Sequence, residues 1–433
     1  MRDTNTGSAE RVLGMRPELG RWSFVVLSLA INLCLGSVYA WSIFKPAVEK
    51  VYGATAFEGN LPFMTFLACF AVTMFFGGAV MERIGPRWTA LAGGLLVAAG
   101  WLLSSRVGSI GQLVFSYGIV AGAGVGLVYG CPVALAARWF PDRKGLAVGL
   151  MLAGFGGSPL VTGPIASRLI GPVATLPVEA LIATLSRTFL AFGLAFAVLL
   201  SLLAIPLRFP APGWRPHGRL GPGGAGGGPA AVPVDRLQMV RTPRFWGLFL
   251  CYLIGCLVGL MAVGISKPVA TEIVGLSPAT ATSLVGLFAL FSAAGRPLFG
   301  WLTDRISPRW AAVLNLTIVL AASLAMLAAD AGRTAVYVAS FASFWLCLGG
   351  WLAIAPAATA AFFGMPHYSR NYGAVFFAFG IGAILGGVVS GNAKDMFGSY
   401  VYAFLPAAGL AAVGLVLATT LLGPPTSRGA VGR

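Results

Sequence analysis

An all-α membrane protein, with twelve transmembrane helices in two six-helix bundles, is the fold class that three observations predict. First, 58% of the 433 residues are hydrophobic and only 10% are charged, where a soluble domain carries about 25% charged residues. Second, the apolar residues form continuous runs long enough to cross a bilayer, spread over the whole chain. They do not alternate, which excludes a β-barrel. Third, a single long polar interruption divides these runs six and six.

Taken in order, residues 1–21 are a polar, basic tail with no apolar core and no small-residue cleavage site. The first apolar run, Trp22 to about Phe44, is too long for a signal-peptide core and is expected to stay as a helix. The first six spans are predicted at 22–45, 60–81, 88–105, 111–139, 145–170 and 185–207, a bundle covering 22–207. Residues 208–242 contain the stretch GRLGPGGAGGGPAAVP, which cannot form a core and reads as a flexible linker. Six more spans, at 243–266, 278–303, 309–329, 334–363, 370–393 and 399–422, form a bundle over 243–422, followed by a tail at 423–433. With the amino terminus placed inside, the inner segments hold 20 lysines and arginines and the outer loops 8. The positive-inside rule then puts both tails and the linker in the cytoplasm, in an inner or plasma membrane. The net charge of +16 is this bias, and no nucleic-acid partner is needed to explain it. The six cysteines all lie in apolar runs and read as packing residues.

The halves repeat each other. Residues 78–87 read GAVMERIGPR and residues 300–309 read GWLTDRISPR, each following the second span of its half. Each copy sets a helix end, an acid, two basic residues and a proline turn at the same face, and internal duplication marks many transporters. The paired motifs resemble those of the major facilitator superfamily. The resemblance implies two bundles around a central cavity that rock to give alternating access, with a monomer as the transport unit. It also implies that Glu82, Arg83, Arg87, Asp304, Arg305 and Arg309 form gating contacts between helices; the alternative is that they only set topology.

Further stretches narrow the likeness. They are GSVYAWS at 36–42, AGAGVGLVYG at 121–130, RWFPDRKG at 138–145, Gly295-Arg296-Pro297 and SRNYG at 369–373. Together they resemble the oxalate–formate antiporter family, related to the monocarboxylate transporters. In that antiporter the resemblance implies two cavity cations holding a substrate's two carboxylates. Arg296 matches one; the position of the other, a lysine, is Phe379 here. One carboxylate clamp remains and an aromatic face replaces the second. This pattern suits a short acid with one carboxylate and an apolar or neutral end, such as lactate or pyruvate, better than oxalate.

Arg296 is also singled out by chemistry. It is the one lysine or arginine that lies away from the ends of a span, where a charge costs about 2.5–3.5 kcal/mol on insertion scales. None of the thirteen acids falls at the centre of a predicted span, so the carboxylate of a substrate is the counter-ion expected. Its planar fork of donors suits that group. Ser292 lies one turn earlier on the same face. Tyr39 and Tyr129 match aromatic cavity residues of the family, and a tyrosine hydroxyl in a membrane core needs a partner. Trp351 and Phe379 are candidate walls for an apolar tail, and Asn32 a buried amide bonded across the bundle. Coupling to a proton would fall to Glu272, five residues after Lys267; a solvated loop acid is the plain alternative.

Other classes fit less well. A sugar facilitator would need more polar amides in the spans, and a cationic-drug carrier would not keep the buried arginine. An enzyme needs a nucleophile, base or metal cluster; the only histidines are His217 in the linker and His367 in a loop. No GxxxxGK[ST] loop is present, so no cofactor is expected and energy must come from gradients.

Overall fold

The structure is a computed structural model that describes residues 12, 14–140, 144–211, 214, 234–364 and 367–423. Asp142, Arg143, His217 and most of the linker lie outside the described residues.

Among the described residues the chain is almost wholly helical. Before the linker come α1 (Pro17–Leu35), α2 (Trp41–Tyr52), α3 (Ala56–Ser104), α4 (Ile110–Leu113), α5 (Gly122–Trp139), α6 (Lys144–Ile170) and α7 (Val178–Ala204). The short α8 (Arg236–Met239) leads into α9 (Pro243–Glu272), α10 (Pro278–Ile306), α11 (Pro308–Met326), α12 (Thr334–Phe363), α13 (Tyr368–Phe397) and α14 (Phe404–Leu421). Eleven helical stretches among the described residues are long and apolar enough to cross a membrane. One of them, α3, has 49 residues, about 74 Å at 1.5 Å per residue. That is twice what a bilayer core of about 30 Å needs, and the helix is broken at Gly85. Counting α3 twice gives the twelve crossings expected, so the start of α1 and the end of α14 lie at one face, here called the terminus face; the other is the far face.

Local sequence explains where helices begin. Thr242, Ser277 and Ser307 each precede a proline at the first helical turn, where a missing N–H costs nothing. Thr242 and Ser277 also accept from the amides of Phe245 and Thr280. Thr55 and Glu58 close a capping box at the start of α3.

The duplicated motif is repeated in the backbone. Gly85 turns the chain at φ 80°, ψ 169°, and its counterpart Ser307 does so at φ 96°, ψ 155°. Glycine adopts that conformation freely; Ser307 is the one described non-glycine residue with positive φ. Two long seams join the helices before the linker to those after it. One packs α3 against α13, the other α6 against α10.

Candidate functional site

Arg296 lies mid-way along α10, on the α6–α10 seam, and is 2% exposed. Its Nε, Nη1 and Nη2 atoms all lack a hydrogen-bond partner among the described residues. Ser292, one turn earlier, is fully buried and its hydroxyl is unpartnered too. Both side chains meet the same spot on α6. A Cβ added to Gly156 would collide with Arg296 Nη1 and stand 3.0 Å from Ser292 Oγ. The glycine makes the space in which the guanidinium sits. Behind it, the backbones of α10 and α12 approach closely at Gly295 and Gly349, where a side chain would strike a carbonyl of the facing helix.

Aromatic rings from both halves continue the cluster. Tyr39 sits in a tight helical turn, Gly36–Ala40, between α1 and α2. Such a turn often marks a hinge. Its ring meets Phe155 edge-on at 5.1 Å and Trp345 at 6.0 Å, and its hydroxyl has no partner. Tyr129 on α5 packs against Phe70, Phe155 and Phe376 at 5.0, 5.3 and 6.2 Å. Phe379 stacks on Phe376 at 5.0 Å and lies 5.6 Å from Phe70. Trp351 lies over Gly255 and 6.0 Å from Tyr252; its indole N–H is unpartnered. Surface hollows lined by Val51, Tyr52 and Ser105 at the far face, and by Phe24, Arg87 and Phe209 at the terminus face, touch none of these residues. The centre of the molecule therefore holds a closed aromatic cluster and, beside it, a set of polar atoms that can all donate hydrogen bonds. This composition can receive an anion's oxygens and shelter an apolar remainder.

All six residues expected at the site are buried. Gly156, Phe70, Phe155, Trp345, Phe376 and Tyr252 join them without having been singled out from sequence. The three-residue spacing of Phe376 and Phe379 was a usable signal for one; nothing distinguishes Gly156 among 59 glycines. Asn32 donates to the carbonyls of Ser28 and, across the bundle, Met151.

Two expected sets of contacts are not made among the described residues. Glu272 does not meet Lys267. Five residues along a helix leave two side chains on different faces. Glu272 instead binds Lys394 of α13 at 2.6 Å, while Lys267 is buried without an ion pair among the described residues. Nor do the motif residues clasp neighbouring helices. Glu82, Arg83, Asp304 and Arg305 are exposed, and none of the six motif residues makes an ion pair among the described residues. Arg87, Arg305 and Arg309 lie instead over the rings of Trp88, Trp301 and Trp310.

The profile of the Major Facilitator Superfamily matches residues 26–267 and again 256–432. The chain belongs to this superfamily. It is a multi-pass membrane transporter, not an enzyme. It is 30% identical to the oxalate:formate antiporter of Oxalobacter formigenes, over 98% of this chain and 95% of that one. It is 27% identical to monocarboxylate transporter 13 of Rattus norvegicus, over 94% and 90% of the two chains. The fold resembles a bacterial homologue of the lysosomal transporter Spinster, with TM-score 0.65 and 16% identity over 93% of this chain and 96% of that one. It also resembles the Escherichia coli fucose:proton symporter, with TM-score 0.60 and 16% identity over 93% and 100%.

Proposed function

We propose that this protein is a secondary active transporter of small monocarboxylates, of the size of lactate or pyruvate. It works by alternating access in an inner or plasma membrane, as a monomer, with both termini in the cytoplasm. The observation that carries the reading is the guanidinium of Arg296, buried and without a partner on any nitrogen among the described residues. A carboxylate supplies what it lacks, a negative charge and two acceptors in one plane. Ser292 and Tyr39 offer further donors, and Tyr129, Trp351 and Phe379 an apolar wall. Phe379 stands where the resembled antiporter family carries a second cation, so one carboxylate is held and the other end of the cargo meets rings.

Coupling follows from the same charge. An empty carrier must close around an uncompensated cation, which favours exchange of one anion for another. Net uptake with a proton is the second route, with Glu272 as its candidate acid, now read against Lys394. Oxalate–formate exchange is the alternative reading, supported by the 30% identity with that antiporter.

The test is uptake of labelled lactate, pyruvate, formate and oxalate into proteoliposomes, with and without a pH gradient and internal anion. The expected result is saturable uptake of the monocarboxylates with weak competition by oxalate. Phe379→Lys should shift preference towards oxalate. Wild-type protein saturated by oxalate and indifferent to lactate would overturn the assignment of cargo.

A further inference from the structure

At the far face the two halves are joined by polar contacts that substrate binding does not use. Asp395, near the end of α13, accepts from the backbone amides of Ala56 and Phe57 at 3.0 and 2.9 Å. A carboxylate of one half thus caps the amino terminus of α3 in the other half, where the helix dipole favours negative charge. Lys45, fully buried on α2, donates to the hydroxyl of Tyr400 at 2.9 Å, again across the halves, and meets Glu49 at 3.4 Å on its own helix. Asn60 of α3 donates to the carbonyl of Gly387 and to Ser390, both on α13, which extends the same seam inward. The terminus face has no equivalent among the described residues. There the halves meet through rings, Phe75 lying 5.2 Å from Phe377 and under Arg236, and the motif acids are unpaired.

We infer that Asp395 and Lys45 form a latch that holds the far mouth shut, and that releasing it is a step in exposing the site to that side. The latch lies on segments continuous with two site residues, Tyr39 in the turn before α2 and Phe379 on α13. Asp395 is about 24 Å beyond Phe379 along α13, and Lys45 about 9 Å beyond Tyr39, at 1.5 Å per residue. Opening this mouth therefore displaces the segments that carry Tyr39 and Phe379. The inference stands on the transporter fold and the inter-half contacts and does not depend on which acid is carried.

Hydrogen exchange of the full chain in lipid nanodiscs, without added anion, tests it. Asp395→Ala removes both amide contacts, and Tyr400→Phe removes one hydroxyl with little change of volume. Each should raise the exchange rate over 54–62 and 385–400, by about tenfold for Asp395→Ala, since charge-assisted hydrogen bonds are lost. Exchange over 72–84 at the terminus face should slow in the same variants, because rocking closes one mouth as it opens the other. Asp395→Glu should restore most of the protection. Faster exchange confined to Ala56 and Phe57, with no response at the terminus face, would make Asp395 a local helix cap and overturn the latch. Unchanged exchange in both variants would overturn it as well.

Discussion

Replacing Arg296 with methionine should make the empty protein more stable while abolishing its transport. The guanidinium is 2% exposed and none of its three nitrogens has a partner among the described residues. A charge at the middle of a span costs about 2.5–3.5 kcal/mol, and methionine fills much of the same path without it. Subtracting about 1 kcal/mol for lost packing volume leaves a gain near 2 kcal/mol. A kilocalorie moves the melting point of a 150–250-residue protein by about 2–4 °C and a longer chain by less, so a rise of about 3 °C is expected. Thermal unfolding in detergent, followed by tryptophan fluorescence, measures it. Wild-type protein should gain further stability as lactate or pyruvate is added, in proportion to the logarithm of concentration once sites are filled. The variant should not respond. A variant that melts below wild type would mean that the protein itself neutralises this group, and the carboxylate-site reasoning would fail with it.

Gly156→Ala should push the guanidinium and Ser292 out of place, since the new methyl group overlaps Arg296 Nη1. With overpacking at about 1–3 kcal/mol, KM for the carboxylate should rise about tenfold or more in the uptake assay; an unchanged KM would separate the cargo from Arg296. Ser307→Gly relieves a serine held at φ 96° and should stabilise by about 1 kcal/mol. Gly85→Ser, its counterpart in the first half, should destabilise by a similar amount, both read by thermal melts.

Much of the fold was legible because bilayer thickness translates directly into the length of an apolar run. The break at Gly85 and the twelve crossings follow from that length and from the Gly-Pro pair. Arg296 was legible for a related reason, as a charge inside such a run stands out. Tyr39, Tyr129 and Phe379 were reached only through resemblance, since a buried aromatic in a membrane helix carries no local mark of the direction it faces. Gly156 was not legible. Its significance is a contact with α10 across some 140 residues of sequence, and a glycine gives no sign of what its missing side chain admits. The partner of Glu272 was not legible, because Lys394 lies on α13, 122 residues further along the chain, and nothing local marks it. The shared backbone turn at Gly85 and Ser307 was hidden because a serine does not announce a positive φ.

The two seams between the halves divide the work. The α3–α13 seam carries Asp395, Asn60 and the stacked Phe376 and Phe379; its contacts can be made and broken in steps along its length. The α6–α10 seam carries a glycine, a serine and the guanidinium, with no acid to balance them. When that seam closes over an empty site, the charge loses water and gains nothing. When it closes over a bound carboxylate, the pair leaves water together. On the proposed reading the difference between those two closures is the intramembrane cost of Arg296, about 2.5–3.5 kcal/mol. Applied to the barrier for return of the carrier, it slows the empty protein by roughly a hundredfold relative to the loaded one, at 1.4 kcal/mol per factor of ten. On that reading, a single unpaired arginine is enough to make exchange of one anion for another the fast mode and net transport the slow one. Anion trapped inside the vesicle should therefore accelerate uptake more than a pH gradient does.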